Sequence, residues 1–327
     1  MKLLRLHTTD PYRNLAVEEY LFRHATEEIF MLWQNDRTVV IGKNQNPYVE
    51  LELDFIRAEG IRIARRITGG GAVYHDMGNV NFSFISPQGT NGIDFATYCA
   101  PIVSALRGLG ATVELSGRND LLLAGKKVSG NAQHASGGRV LHHGTLLYDS
   151  DLTVLSRALR PDEEKLRAKA VRSVSSRVTN LRPYLPTVTD TETLMDALFA
   201  AMDGEWIPLP QDAEIDALTE RNTSQEWLFP QRELLSRYAL VRKKRYPFGT
   251  VEIALDMEGE IVRELHIGGD FFGIASVEEL CRLLRGTTRN EAAARLSNLQ
   301  LDAYIHGMTT EELLTQIFSS NDTKAIG

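Results

Sequence analysis

The sequence predicts an α+β protein built from a mixed-sheet domain over residues 1–245 and a small α+β domain over 246–327, and three observations predict it. Helical spacing of apolar residues recurs near 11–25 and 94–109, while the stretches between carry the two-residue period or short apolar runs of strands. Prolines and polar residues interrupt the pattern at Glu205–Gln211 and again at Tyr238–Pro247. Beyond the second break, a hairpin pattern and short helices form a self-sufficient set.

Asp10-Pro11 supplies an N-cap followed by proline at the first helical position, opening a helix to about Ala25. Strands are expected at Ile29–Trp33 and Thr38–Ile41. Residues 61–86 read as strand, glycine turn, strand and a further strand, in which Val80, Phe82 and Phe84 alternate with Asn81 and Ser83, the period of a half-buried strand. Phe95, Cys99, Ile102, Leu106 and Leu109 mark an amphipathic helix. Short strands follow between Thr112 and Tyr148, then helices over 152–169 and 191–202. Thr250–Leu255 and Ile261–Ile267 flank a turn at Met257-Glu258-Gly259, and three short helices finish the chain. Ser276 with Glu279, and Thr309 with Glu312, have capping-box spacing.

A formal charge of -7 over 327 residues argues against bulk nucleic-acid binding. Met1–Asp10 is too short and polar for a signal peptide, and no run approaches the roughly 18 apolar residues of a membrane span. Two cysteines, Cys99 and Cys281, give neither a disulfide framework nor zinc spacing. A cytoplasmic enzyme is expected, with a monomer mildly preferred.

Three segments carry chemistry. In Arg65-Arg66-Ile67-Thr68-Gly69-Gly70-Gly71, consecutive glycines let backbone N–H groups close on an anion, and Arg66 adds a permanently charged fork. It is no P-loop, since no Gly-Lys-Ser/Thr follows; a plain tight hairpin is the alternative. In the second, Asn119 and Asp120 offer a neutral and an anionic partner for a ribose, an ammonium or magnesium, or serve as turn residues. Lysines 126 and 127 follow, fenced by Gly125 and Gly130, where a cation suits a cleft better than an open surface. In the third, His142 and His143 adjoin on a strand and face opposite ways, so they cannot share one metal; without a His-Glu-x-x-His motif, a catalytic zinc is not expected.

Together these segments resemble the lipoate–protein ligase A family. The pattern RRxxGGGxVxHDxGN is matched from Arg65 to Asn79, GRNDL and KxSGxA from Gly117 to Ala132, and HHGTLL from His142 to Leu147. Ser173–Leu181 is also similar, and the likeness extends from the helix containing Asn14, Glu18 and Glu19 through the C-terminal domain. The resemblance implies a class II synthetase and biotin-ligase-like catalytic fold with an accessory C-terminal domain. It implies ATP with Mg²⁺, lipoate as substrate, and carrier partners: lipoyl domains of 2-oxoacid dehydrogenase subunits or a glycine-cleavage H protein.

By position, Lys127 falls on the lysine that the family sets between the lipoate carboxylate and the α-phosphate; the Lys-Val-Ser-Gly spacing selects it over Lys126. Arg66 falls on the adenylate-binding arginine, and Gly71, Ala72, Val73 and Tyr74 on the stretch lining the nucleotide. Asn119, Asp120 and His143 match positions near the adenylate. For the attack of the carrier lysine, Asp120 or the adenylate phosphate is the expected proton acceptor. Residues 165–182 hold six basic side chains and read as a lid, a docking face for acidic carriers, or a solvated surface. Arg242–Arg245 read as a solvated linker face. Two rival readings remain: a cysteine-dependent lipoyl or octanoyl transferase, for which both cysteines sit on apolar helical stripes, and a non-catalytic lipoate-binding module.

Overall fold

The computed structural model describes residues 1–89, 92–117, 119–160, 177–230 and 238–319. Its strands are β1 (Lys2–Arg5), β2 (Ile29–Trp33), β3 (Thr38–Ile41), β4 (Arg62–Arg65), β5 (Val73–His75), β6 (Asn79–Ser86), β7 (Val113–Ser116), β8 (Asp120–Leu123), β9 (Lys126–Ser136), β10 (Arg139–Leu147), β11 (Glu205–Trp206), β12 (Leu240–Tyr246), β13 (Gly249–Glu258) and β14 (Ile261–Gly269). The chain divides into two compact units: 1–41, 47–67 and 72–228 in the first, and 42–46, 68–71 and 229–327 in the second.

The first unit is organised by a mixed sheet in the order β11-β1-β2-β6-β10-β9-β8-β7, with a smaller sheet β4-β3-β5 beside it. The helix Pro11–His24 starts as its sequence dictates, Asp10 accepting from the Tyr12 N–H with proline at the first position. One face of the large sheet carries Phe30, Leu32, Val80, Phe82, Phe84, Leu121 and Leu146, buried with residues of the helices Phe95–Gly108 and Thr191–Ala200. The other face buries Met31, Trp33, Ile85 and Leu141 with Pro11–His24 and Ala213–Thr223.

β6 departs from the half-buried strand that its alternation predicts: every residue in it is buried. It is a central strand between β2 and β10, so Asn79, Asn81 and Ser83 face a second protein layer instead of water.

The glycine segment is not a hairpin turn. β4 and β5 do not pair with each other; both flank β3, parallel and antiparallel respectively. By contrast β9 and β10 form a true hairpin, closed by Gly137 and Gly138 at φ 59° and 78°.

The second unit holds the antiparallel sheet β12-β13-β14 and, among the described residues, helices Val277–Leu284, Arg289–Leu296, Leu301–Tyr304 and Thr310–Phe318, one more than expected. The Thr309–Glu312 capping box is present and so is one at Thr288–Glu291, whereas Ser276 bonds Glu278 and forms no box with Glu279. Arg242–Arg245 belong to β12 instead of a linker, although Lys243, Lys244 and Arg245 do form an exposed face. Arg242 donates to the carbonyls of Gln316, Ile317 and Ser319, placing a cation at the C-terminal end of Thr310–Phe318. No helix among the described residues is long and apolar enough to cross a membrane.

Candidate active site

Cross-strand register assembles a polar row on the helix-11–24 face of the large sheet. Asp120 stands opposite Gly130, the β9–β10 register continues to Thr145, Thr145 stands opposite Asn81, and Asn81 opposite Trp33. The Gly130 N–H donates to Thr145 Oγ1 at 3.2 Å. Directly opposed residues share a face, so these five line one strip. His143, two residues before Thr145, stands opposite Ser83 in the next row.

Lys127 joins this face through an irregularity in the ladder. Leu121 pairs with Ser129 but Leu122 with Lys127, leaving Val128 as an extra, bulged residue. A bulge resets the alternation, which brings Lys127 over Gly130 although they are three apart. Its ammonium lies 2.8 Å from Asp120 Oδ1, with side chains 32% and 36% exposed, whereas Lys126 is exposed. A Cβ at Gly130 would come 2.7 Å from Lys127 Nζ, so the glycine leaves the ammonium its place. The backbone of Lys127 is held too, since its carbonyl accepts from the Thr179 N–H at 2.9 Å. That contact joins the described end of the Ser173–Leu181 segment to the lysine.

Asn119 spends its side chain on the scaffold. Its Nδ2 donates to the Asn131 carbonyl at 2.7 Å, and Asn131 Nδ2 returns a bond to the Asn119 carbonyl at 2.9 Å. The reciprocal pair pins the chain just before Asp120.

The two arginines of the first motif diverge. Arg65 donates to the carbonyls of Trp227 (2.8 Å) and Leu228 (2.7 Å), and Trp227 Nε1 donates back to the Arg65 carbonyl. Arg66 is also buried, donating to the Val40 carbonyl at 3.2 Å; burial lowers its pKa to about 10, and the charge of Glu18 works against that fall.

Glu18 sits at the centre of a buried network. Trp33 Nε1 donates to Ser83 Oγ at 2.9 Å, Ser83 Oγ donates to Glu18 at 2.5 Å, and His143 Nδ1 lies 2.9 and 3.0 Å from the two Glu18 oxygens. His142 faces away, as neighbours on a strand must, toward Phe82, Phe95, Tyr98 and Cys99. Burial drives the pKa of His142, and likewise of His75, down to about 3.

The glycine loop proper, 68–71, belongs to the second unit. Gly70, at φ 92°, donates its N–H to the Phe271 carbonyl at 3.1 Å, and a side chain at Gly69 would collide with that same carbonyl. One N–H of the expected anion nest is thus turned to protein, and Gly71 is exposed. Ala72 and Tyr74 pack into an apolar cluster with Val39, Ile41 and Leu51, while Val73 packs into the Trp33 cluster. Their side chains are therefore spent on cores. Any contact from this stretch to a nucleotide would come from its backbone. Arg118 and most of the basic 165–182 segment lie outside the described residues.

The profile of the lipoyl protein ligase A/B catalytic domain matches residues 10–203, and that of the bacterial lipoate protein ligase C-terminus matches residues 236–317. The chain is 36% identical over 324 residues to lipoate-protein ligase LplJ of Bacillus subtilis, covering 94% of this chain and 97% of that one. The chain belongs to the lipoate–protein ligase family. P. falciparum LipL1, solved in complex with lipoate, shares the fold with a TM-score of 0.78 at 23% identity, over 96% of this chain and 98% of its own. Lipoate-protein ligase A bound with ATP has a TM-score of 0.57 and 26% identity, over 70% of this chain and 98% of its own. The first unit of this ligase thus has the mixed-sheet fold of lipoate–protein ligase catalytic domains, and a C-terminal domain of the same family follows it.

Both cysteines of the ligase are buried, and burial pushes their thiols up to about 12. Thiols held protonated in apolar surroundings do not serve as nucleophiles, which disfavours a thioester route. Among the described residues no group of three or more His, Cys, Asp or Glu side chains is arranged to hold a metal ion.

The sequence reading did not single out Ser83, Trp33, Asn81 or Thr145. For Asn81 and Ser83 the signal is the polar half of the β6 alternation, whereas Trp33 on β2 and Thr145 on β10 join the row only through strand register.

Proposed function

We propose that the ligase activates lipoate with ATP as lipoyl-AMP and then transfers the lipoyl group to a lysine of a lipoyl carrier domain. The observation that carries this reading is the half-buried Lys127 ammonium, held by Asp120 over Gly130 on the polar strip of the sheet. A carboxylate and a triphosphate repel each other, and a fixed cation between them removes that repulsion. The same cation stabilises charge as the carboxylate oxygen attacks the α-phosphorus and pyrophosphate leaves. Asp120 balances Lys127 until the anionic substrates enter. With its oxygen on the ammonium, Asp120 is better suited to placing Lys127 than to accepting a proton.

Arg66 provides a second cation for the nucleotide, its charge sustained in a buried place by Glu18. The backbone from Gly71 to Tyr74 would line the nucleotide. Magnesium fits as a companion of the ATP phosphates, keeping its own waters, more than as an ion in a protein cage. Carrier domains of 2-oxoacid dehydrogenase subunits and of the glycine-cleavage H protein are the proposed acceptors, in the cytoplasm. The C-terminal domain acts as an accessory to the catalytic one.

The test is to incubate the protein with lipoate, Mg-ATP and apo lipoyl domains, and to weigh the domains. A lipoyl mass gain on one lysine is expected. No gain across several carriers defeats the proposal.

A further inference from the structure

We propose that two buried N–H donors at the closed end of the polar strip, His75 Nε2 and Asn81 Nδ2, read the ring sulfurs of the substrate and so select lipoate over a sulfur-free acid of the same shape. The proposal rests on the ligase reading above. Hydrogen-bond direction fixes the state of His75. Asn14 Nδ2 donates to the carbonyls of Thr8 (3.1 Å) and Gln34 (2.8 Å), groups that can only accept, and also to Asn35 Oδ1 at 2.9 Å. Asn35 therefore turns its Nδ2 to His75 Nδ1, 3.0 Å away. Burial lowers the pKa of this ring to about 3, so it is neutral and the lone pair that accepts from Asn35 is on Nδ1. The ring hydrogen is then on Nε2, which is buried and has no hydrogen-bond partner among the described residues.

Asn81 supplies the second donor. Asn79 Nδ2 donates to Asn81 Oδ1 at 2.8 Å, and Asn81 Nδ2 is buried with no partner among the described residues. Turning both amides over would only pass the spare donor to Asn79. Both donors border Trp33. Asn81 stands opposite it in register, and the His75 ring meets the Trp33 ring edge-on with centroids 6.0 Å apart. Buried donors without acceptors oppose folding, and a ligand that brings acceptors to them offsets that penalty.

The strip sets which end of the substrate reaches them. Exposure falls from 32% at the Lys127 side chain to 8% at Thr145 and 1% at Asn81. ATP and the carrier lysine must both reach the carboxylate, so the carboxylate takes the open end at Lys127 and the tail takes the closed one. Asn81 on β6 stands two strands from Gly130 on β9, about 10 Å at the usual strand spacing. The carboxyl carbon and ring sulfurs of extended lipoate are roughly 8–9 Å apart, at about 1.5 Å per bond. The ring thus falls beside Asn81, Trp33 and His75. Trp33 gives it apolar contact, and its sulfurs accept weak hydrogen bonds from the two N–H groups. A sulfur-free ring packs on Trp33 equally well but leaves both donors unanswered.

The test compares lipoate with cyclopentylpentanoate, in which carbon replaces both ring sulfurs. Pyrophosphate release with Mg-ATP is measured for the parent, Asn81→Leu and His75→Phe. The parent should favour lipoate by about tenfold or more in kcat/KM. Each variant should shrink that ratio by about threefold or more, chiefly by raising the KM for lipoate. A parent that takes the sulfur-free ring as readily as lipoate overturns the proposal. So does a variant that loses both acids in equal proportion, which marks a residue that only supports the fold. His75→Phe deprives Asn35 of its acceptor; if it does not fold, Asn81→Leu and the parent's own ratio decide. A parent that releases no pyrophosphate with lipoate defeats the ligase reading instead.

Discussion

Gly130 keeps the space into which Lys127 extends. Their juxtaposition arises from the bulge at Val128, which turns two residues of odd separation onto one face. A methyl group at Gly130 would meet the flexible end of Lys127, not backbone. Gly130→Ala should therefore move the ammonium without unfolding the strand. Adenylate formation, followed as pyrophosphate release, is expected to fall about tenfold or more, with stability changed by less than about 1 kcal/mol in urea unfolding. Unchanged pyrophosphate release would show that the ammonium has no fixed task.

Asp120→Asn removes a half-exposed ion pair, and such pairs contribute at most about 1 kcal/mol. Its expected cost is in the position of Lys127. The variant should slow adenylate formation several-fold while transfer from preformed lipoyl-AMP changes less than about threefold. A selective loss of transfer would return Asp120 to the role of proton acceptor.

Arg65 and Arg66 are adjacent in sequence and serve different ends. Arg65→Met strands the carbonyls of Trp227 and Leu228 and should cost about 2–3 kcal/mol of stability, with activity per folded molecule retained. Arg66→Met should raise the KM for ATP at least tenfold. Denaturant titration beside steady-state kinetics separates the two.

Acid should destabilise the protein through its buried histidines. The folded-state pKa of His75 and of His142 is about 3, against an ordinary value of 6.5. A depressed value means that the unfolded chain binds protons first. The associated stability is complete above about pH 6.5 and is lost progressively as pH falls toward 3, at up to about 1.4 kcal/mol per pH unit for each ring. Urea unfolding between pH 7 and 5 should show this slope, and His142→Phe should remove about half of it. An unchanged slope would exclude His142 as a contributor.

Much of the architecture was legible because local rules and tertiary packing agreed. Asp10-Pro11 started a helix, Asp94 capped Phe95–Gly108, and Thr309 with Glu312 closed a capping box. Failures came where a local pattern has two tertiary solutions. The β6 alternation looks the same whether its polar half meets water or a buried network around Glu18. Arg242 reads as a surface charge until Thr310–Phe318 brings carbonyls to it from over seventy residues away. The glycine run looks like a turn unless strand order is known. In the site, spacing could single out Lys127, but only the ladder shows the bulge that lets it share a face with Asp120. Neither Ser83 nor Trp33 belongs to a motif. They matter through a hydrogen-bond direction that no linear pattern encodes.

The most direct measurement is the pre-steady-state rate of pyrophosphate release on mixing Lys127→Ala with lipoate and Mg-ATP. A loss of about 10²–10³-fold relative to the parent is predicted, the usual scale for removing one preorganised charge from a reacting site. Release at the parental rate would contradict the account, because the ion would then bridge nothing.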